Sequence, residues 1–384
     1  MQDESELLDL IALNGTAEIG PATFLRLLEH FGSTKKILEA SSEELLKVES
    51  MRAQAAANIR KSREIFDPEK ELKKCEKLGI RVLGYTSQDY PANLKKINDP
   101  PIVLYVKGEV RPADSLAIAI VGSRQASYYG KRQSESLSFA LAQIGITVVS
   151  GLARGIDAFA HEGAMKAHGR TIAVVGSGLA DPYPRENRAL ADRIAECGAV
   201  VSEFPLDFPV RAENFPRRNR IIAGLSLGVV VVEAALRSGS LITARWAAEQ
   251  GKDVFAVPGN VDSPSSRGCH QLLKDGAKLV EDVGDILEEL GPLVEAIVFR
   301  DESALKDSAT GPAMKLALSE NESKVYAALS TEPMNVEEII DLSGLSVQAV
   351  SAALSLLVLK RFAVRLPGQM YVKNSRELRA ERRE

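Results

Sequence analysis

Residues 214–226 read NFPRRNRIIAGLS, which places Arg217, Arg218 and Arg220 within four positions, beside Phe215 and Asn219 and downstream of Arg211. Guanidinium forks at this density suit bidentate hydrogen bonding to phosphate or carboxylate oxygens. A Pro, an aromatic and an apolar run flank the cluster, so at least one arginine is expected to be partly buried. Asn219 and one arginine are expected to tie the segment, read as a loop before a helix, to neighbouring carbonyls. The remaining arginines then face a ligand. Phe215 offers a ring face for a base, and such stacking is worth about 1–3 kcal/mol per base.

A second group of residues follows short apolar runs. LAIAIVG (116–122) leads into Gly122-Ser123-Arg124, and ITVVSG (146–151) supplies Ser150 and Gly151 before Arg154, Gly155 and Asp157. GVVVVE (228–233) ends at Glu233 and precedes Ser238-Gly239-Ser240, while DVFAVP (253–258) precedes Gly259-Asn260. Glycine lets backbone N–H groups approach an anion, a helix start adds its dipole, and serine hydroxyls add donors. Together with Arg124 and Arg154 on one rim, these turns describe a phosphate-binding surface.

Several chemistries lack their signatures. GSRQAS stands where a dinucleotide-binding GxGxxG would follow the first run, and no acidic residue ends the second run to hold a ribose. GxxxxGK[ST] is also absent, which argues against a P-loop ATPase. Of the four histidines, His161 lies four residues after Asp157 on one predicted helix. The reading adopted is that Asp157 caps that helix and His161 braces the loop beneath it, both structural. Glu233 is also assigned a structural role, although a carboxylate at a strand end keeps acid–base chemistry open. Cys75, Cys197 and Cys269 are far apart and form no CxxC pair. No metal, no cofactor, no catalytic residue and no disulfide framework is expected.

The elements that must position these groups are legible as short runs. The runs above, with TIAVVG (171–176) and AVVSEF (199–204), are apolar almost throughout. That pattern suits strands buried on both faces of a parallel sheet. RVLGY (81–85) and IVLYV (102–106) add strands at an edge. The expected fold is α/β, a Rossmann-like, doubly wound, mostly parallel sheet over residues 79–292. Residues 1–78 read as a helical domain of the SAM or helix-hairpin-helix kind. EIGPATFLRLL supplies one hairpin, opened at Gly20; VESMRAQAAANI lacks the glycine of a second, and the module is read as a packing bundle. Residues 293–318 read as a linker, 319–376 as a winged-helix domain and 377–384 as a charged tail. The helical segment 346–359 carries no charged residue and only Gln348 and serines as polar groups. It suits protein contact or dimer packing better than base readout.

The 384 residues are 45% apolar with a formal charge of −4, so any nucleic-acid site must be local. The start lacks the basic segment of a signal peptide, and LSLGVVVVEAAL (225–236) is too short to span a bilayer. A cytoplasmic protein with no membrane partner is expected.

IVGSR, SGLARGIDAFAHEGA, VVGSGLADPYPREN, SEFPLDFPVRAENFPRRNRIIAGLS, VVEAALRSGSLITARWAAEQGKDVFAVPG and GCHQLLKDGA resemble the DNA-processing protein A (DprA, or Smf) family over residues 80–290. The resemblance implies a non-enzymatic protein that binds single-stranded DNA, forms a homodimer and helps load the RecA recombinase during natural transformation. Carried onto matching positions, it makes Arg124 and the Phe215–Arg220 segment DNA contacts. SSRGCHQLL departs from the pattern, with Cys269 and His270 where the family has an Asn; His270 must then replace whatever that Asn bonds. Two other readings stand beside this one. A nucleoside-monophosphate hydrolase of the cytokinin-releasing type shares the sheet, but its Glu follows a Gly-Gly-x-Gly-Thr loop, whereas Glu233 precedes Ser238. An interaction scaffold would act through the last domain.

Overall fold

The computed structural model describes residues 3–290 and 320–373, apart from 360, 361, 367 and 369. The apolar runs become strands β1 (Ile80–Gly84), β2 (Val103–Gly108), β3 (Ala117–Val121), β4 (Thr147–Ser150), β5 (Thr171–Val174), β6 (Ala199–Ser202), β7 (Gly228–Val231) and β8 (Asp253–Ala256). Every residue of β3 to β7 is buried, which is why their sequences do not alternate. A two-residue edge strand, β9 (Lys278–Leu279), was too short and too exposed to leave a pattern.

The nine strands lie in the order β1-β2-β6-β5-β4-β3-β7-β8-β9. β3 to β9 run parallel; at one edge β2 pairs antiparallel with β6 and β1 antiparallel with β2, so β2 runs against the rest. The chain winds outward from β3 through β6, then crosses back to lay β7 on the other side of β3. Strand order therefore reverses between β3 and β7, and a crevice opens there beyond the carboxyl ends. The Ser123 N–H bridges this point by donating to the Glu233 carbonyl at 2.7 Å.

The N-terminal helices pack against the sheet. Leu10, Leu13, Phe24, Leu27 and Ile37 are buried in one core with Val103, Tyr105 and Val200 of the sheet. Phe24 meets Tyr85 edge-on with centroids 6.0 Å apart, and Asn14 donates to the Glu203 carbonyl at 3.1 Å. Met1–Asp282 thus forms one compact unit. Gly20 precedes the helix Pro21–Phe31 in extended conformation, and Gly32 ends it at φ +77°.

The second unit is a winged helix. Helices Glu320–Ala328, Val336–Ser343 and Val347–Leu359 pack around Val325, Ile339, Val350, Leu354 and Leu357. Strands β10 (Met334–Asn335), β11 (Ala363–Leu366) and β12 (Met370–Lys373) form the wing in the order β10-β12-β11. Asn335 and Glu338 make a reciprocal capping box, and Gly344 closes the helix at φ +65°. The 293–318 linker, the 377–384 tail and the Gln348 side chain lie outside the described residues. Among the described residues no helix is long and apolar enough to cross a membrane.

Candidate functional site

A cleft of about 860 Å³ lies at the β3–β7 reversal, walled by the Gly122–Gln125 turn, the start of helix Asn214–Leu225 and the Arg237–Ser240 loop. The turn after β3 is built by close approach. A Cβ on Gly122 would meet Ile156 Cγ1 at 2.6 Å, and one on Gly155 would meet the Ser123 carbonyl at 2.3 Å. Gly155 also sits at φ +72°, ψ −130°, a region side chains rarely allow. The Ser123 carbonyl accepts from Ile156 N–H at 3.1 Å and the Ser123 hydroxyl from Gln125 N–H at 3.1 Å. The turn is fixed on both sides, and Arg124 projects from it, exposed.

Arg124 reaches across to Phe215 on the opposite wall, its guanidinium carbon 5.3 Å from the ring centroid. Phe215 is half-buried, tilted at 58° against Tyr183 with centroids 5.7 Å apart and backed by Gly176. Its ring face is therefore covered by Arg124, not open as the sequence implied. A planar group entering at this point would have to stack on the guanidinium plane or displace it.

The arginine cluster is helical, not a loop before a helix. Asn214–Leu225 begins upstream of it, and Pro216 is tolerated because the first turn needs no intrahelical N–H. Successive residues then point in different directions. Arg218 turns inward, 4% exposed, and donates to the Gly151 carbonyl at 2.7 Å and to the Val174 carbonyl. Burial lowers its pKa to about 10 against the pull of Asp157. It still lines the cleft floor. Arg220 turns to the far side, 1% exposed. It grips both Glu203 oxygens at 2.7 and 2.9 Å, and its Nε lies 2.9 Å from Asp99. Arg217 also pairs with Glu203, at 3.1 Å, and lies over Phe204. Burial opposes charge on Glu203, yet Arg220 and Arg217 hold its carboxyl below the usual range. Arg220 is thus engaged by a buried carboxylate, whereas Arg217 shares that carboxylate and stays half exposed.

Asn219 donates to the Gly239 carbonyl at 3.2 Å and so fixes the Ser238–Ser240 loop. In that loop the Ser238 and Ser240 hydroxyls bond each other at 2.7 Å, and Gly239 is exposed with open space at its Cβ. The far end of the helix is held by Lys252, which donates to the Ala223 and Gly224 carbonyls at 2.6 and 2.8 Å.

The other nominated residues divide similarly. Ser150 is fully buried and donates to the Ile120 carbonyl at 2.6 Å, so its hydroxyl serves the sheet, not a phosphate. Gly151 is buried as well, and a Cβ there would strike Arg218 and Asp157 at 2.6 Å. Arg154 is exposed and paired with Glu186, while Arg211 forms a 3.6 Å surface pair with Glu213. Asp157 does not cap its helix; Gly155 is the cap, and Asp157 accepts from Gly151 and Ala153 N–H at 3.1 and 3.3 Å, tying the loop back. Burial raises its pKa, with Arg218 opposing. His161 does not bond Asp157. It is fully buried beside Thr171 at 2.7 Å, and since that hydroxyl donates to Val148, His Nδ1–H is the donor. Burial, reinforced by Arg218, lowers its pKa to about 3. Glu233 is buried and accepts from the Ser127 N–H and hydroxyl, each at 3.0 Å. His270 Nε2–H donates to the Gly259 carbonyl at 3.0 Å, and Cys269 is buried against Val231.

Sequence reasoning missed Arg237 and Tyr183 as cleft walls and Glu203 as the counter-charge. Arg237 adjoins the Ser-Gly-Ser turn, and Glu203 ends an apolar run. A carboxylate in that position must find a cation, and this was the available signal. Among the described residues no ion pair involves Arg124 or Arg237.

Residues 81–291 match the family model described as DNA recombination-mediator protein A. The chain belongs to this family. Residues 4–57 match the DprA-like N-terminal HHH domain and residues 309–369 the DprA winged helix domain. Over 205 residues the chain is 53% identical to Protein Smf of Escherichia coli K12, a match covering 53% of this chain and 55% of that protein. The crystal structure of DprA from Streptococcus pneumoniae superposes with a TM-score of 0.65 at 36% identity, over 72% of this chain and 95% of that one. DprA from Helicobacter pylori, whose structure is described in terms of a unique single-stranded DNA binding mode, gives a TM-score of 0.50 at 31% identity, over 55% and 95%.

Proposed function

We propose that the cleft holds the backbone of single-stranded DNA and that the protein is a recombination mediator, loading RecA onto DNA taken up in transformation. The observation that carries this reading is Arg124. It is exposed, free of any ion pair among the described residues, and held over Phe215 where strand order reverses. Arg237 and the Ser238–Ser240 turn line the same cleft. A guanidinium for the phosphate and a flat cation–aromatic pair for the base suit an unpaired strand bound with little base preference. Family membership and the binding described for the H. pylori relative support the same reading.

In this proposal the protein works in the cytoplasm as a homodimer, with RecA as its protein partner. Titration with short oligo-dT, read by fluorescence anisotropy at two salt concentrations, tests the cleft. Binding that weakens with salt is expected, and absent or salt-insensitive binding overturns it. RecA assembly on DNA pre-coated with single-strand binding protein should quicken on adding the protein. Sedimentation velocity reads the dimer. Membership of a mediator family favours this reading over nucleoside-monophosphate hydrolysis, which release of free base from nucleoside monophosphates would reveal.

A further inference from the structure

We propose that the N-terminal helices set the affinity of the cleft for a strand, with Glu71 and Asn14 as positioning residues that hold the back of its wall; this deepens the single-strand reading and rests on it. The wall is the segment 203–213 between β6 and helix Asn214–Leu225. Val210 and Ala212 of this segment line the cleft, and Phe215 follows at the start of the helix. Glu203, Phe204 and Phe208 of the same segment line a separate cavity of about 690 Å³, together with Asn14 and Glu71. Packing leaves room on that side, so the position of the wall depends on polar ties to the N-terminal helices.

Those ties are specific. Glu71, on helix Pro68–Lys77, is 8% exposed, and its Oε1 accepts from the Leu206 N–H at 2.7 Å. Asn14, the last residue of helix Glu4–Asn14, donates to the Glu203 carbonyl at 3.1 Å, and Lys74 pairs with Asp207 at the surface. Burial raises the Glu71 carboxyl above its ordinary range, and the Leu206 N–H is the largest influence against it. A carboxyl is a costly way to fill a buried position. What it supplies, and an apolar side chain cannot, is an acceptor for a buried backbone N–H.

Glu203 carries the constraint onward. Its carbonyl is held by Asn14, and its carboxylate grips Arg220 and Arg217, both on the helix that bears Phe215 and Arg218. Freeing Leu206 loosens Glu203 three residues earlier, and with it the helix start over which Arg124 lies. No residue of Pro68–Lys77 lines the cleft, so an effect of Glu71 on binding runs through the wall. Such coupling is reciprocal: a strand that fixes the wall also steadies the helix that braces it.

Anisotropy titrations of the full chain with labelled oligo-dT compare Glu71→Ala, which leaves the Leu206 N–H without its acceptor, with Glu71→Gln, which keeps an acceptor of the same shape. Both lose the same negative charge, and that loss alone would strengthen binding to a polyanion. Glu71→Ala is expected to bind about tenfold more weakly at an unchanged salt slope, and Glu71→Gln at least as tightly as the unmodified chain. Asn14→Ala should weaken binding as well. Amide hydrogen exchange tests the coupling without a variant: saturating oligo-dT should slow exchange in 68–77 more than in the control helix Ala53–Arg60. Unaltered affinity in folded Glu71→Ala, equal weakening in Glu71→Ala and Glu71→Gln, or equal slowing in both helices overturns the positioning role. In each of these cases oligo-dT binding by the unmodified chain keeps the cleft intact, whereas absence of that binding removes both.

Discussion

The guanidinium of Arg124 lies 5.3 Å from the centre of the Phe215 ring, joining the turn after β3 to the first turn of the arginine-rich helix. The contact crosses the cleft and holds a long, flexible side chain flat at its rim. A cation held over an aromatic face keeps its charge available while losing much of its rotamer freedom before a ligand arrives.

Arg124→Ala should weaken oligo-dT binding about tenfold and reduce the slope of log K against log salt by about 0.7, the share of one phosphate on a single strand. Arg237→Ala should act in the same direction. Unchanged affinity and slope in both variants, measured by anisotropy across a salt series, would remove the cleft from the binding surface.

Arg220→Met should cost stability, not contact with DNA. It leaves Glu203 buried with Arg217 alone, and breaking a buried pair by removing one partner costs about 3–5 kcal/mol. Urea unfolding should show a lower midpoint, whereas Arg124→Ala should leave the midpoint where it was. A stable Arg220→Met protein with impaired binding would reverse the roles assigned to these two arginines.

Gly155→Ala tests the turn beneath Arg124. The added Cβ would press on the Ser123 carbonyl at 2.3 Å in a backbone conformation already foreign to side chains. A loss of about 1–3 kcal/mol is expected, together with weaker DNA binding, because the turn must open. The two effects are read by thermal unfolding and anisotropy on one preparation.

His161 makes stability depend on pH. Its pKa is about 3 in the fold and near its ordinary 6.5 in the unfolded chain, so between these values only the unfolded chain takes up the proton. Stability is complete above pH 6.5 and falls as pH drops, by about 1.4 kcal/mol per unit from this group. Burial raises the Asp157 carboxyl, which acts in the opposite sense, but it is common to both proteins when wild type is compared with His161→Gln. The variant should lose less stability than wild type in urea melts between pH 7 and 5. Parallel pH profiles would show that His161 is protonated in the fold.

The strands from β3 to β8 could be read from the sequence because burial on both faces leaves runs with little polar interruption. β9 could not, being two exposed residues at an edge. The arginine cluster shows the limit most clearly. Neighbours on a helix point about 100° apart, so Arg217, Arg218 and Arg220 face different surroundings although they are nearly adjacent in the chain. Glu203, which claims two of them, comes from a different element, and only the folded chain brings it there. Ser150 misled for a related reason: at a strand end a serine serves a ligand or the neighbouring strand, and its type does not say which.

Arg217 and Arg220 are tied to Glu203 within the fold, leaving Arg124, Arg237 and the buried Arg218 as cleft cations without an ion pair among the described residues. On the proposed reading, one copy would grip a polyanion with a light hand and release it readily. Durable coverage of a long strand would then depend on neighbouring copies, each retaining the thread while another lets go, so occupancy should climb steeply with protein concentration and collapse together on dilution.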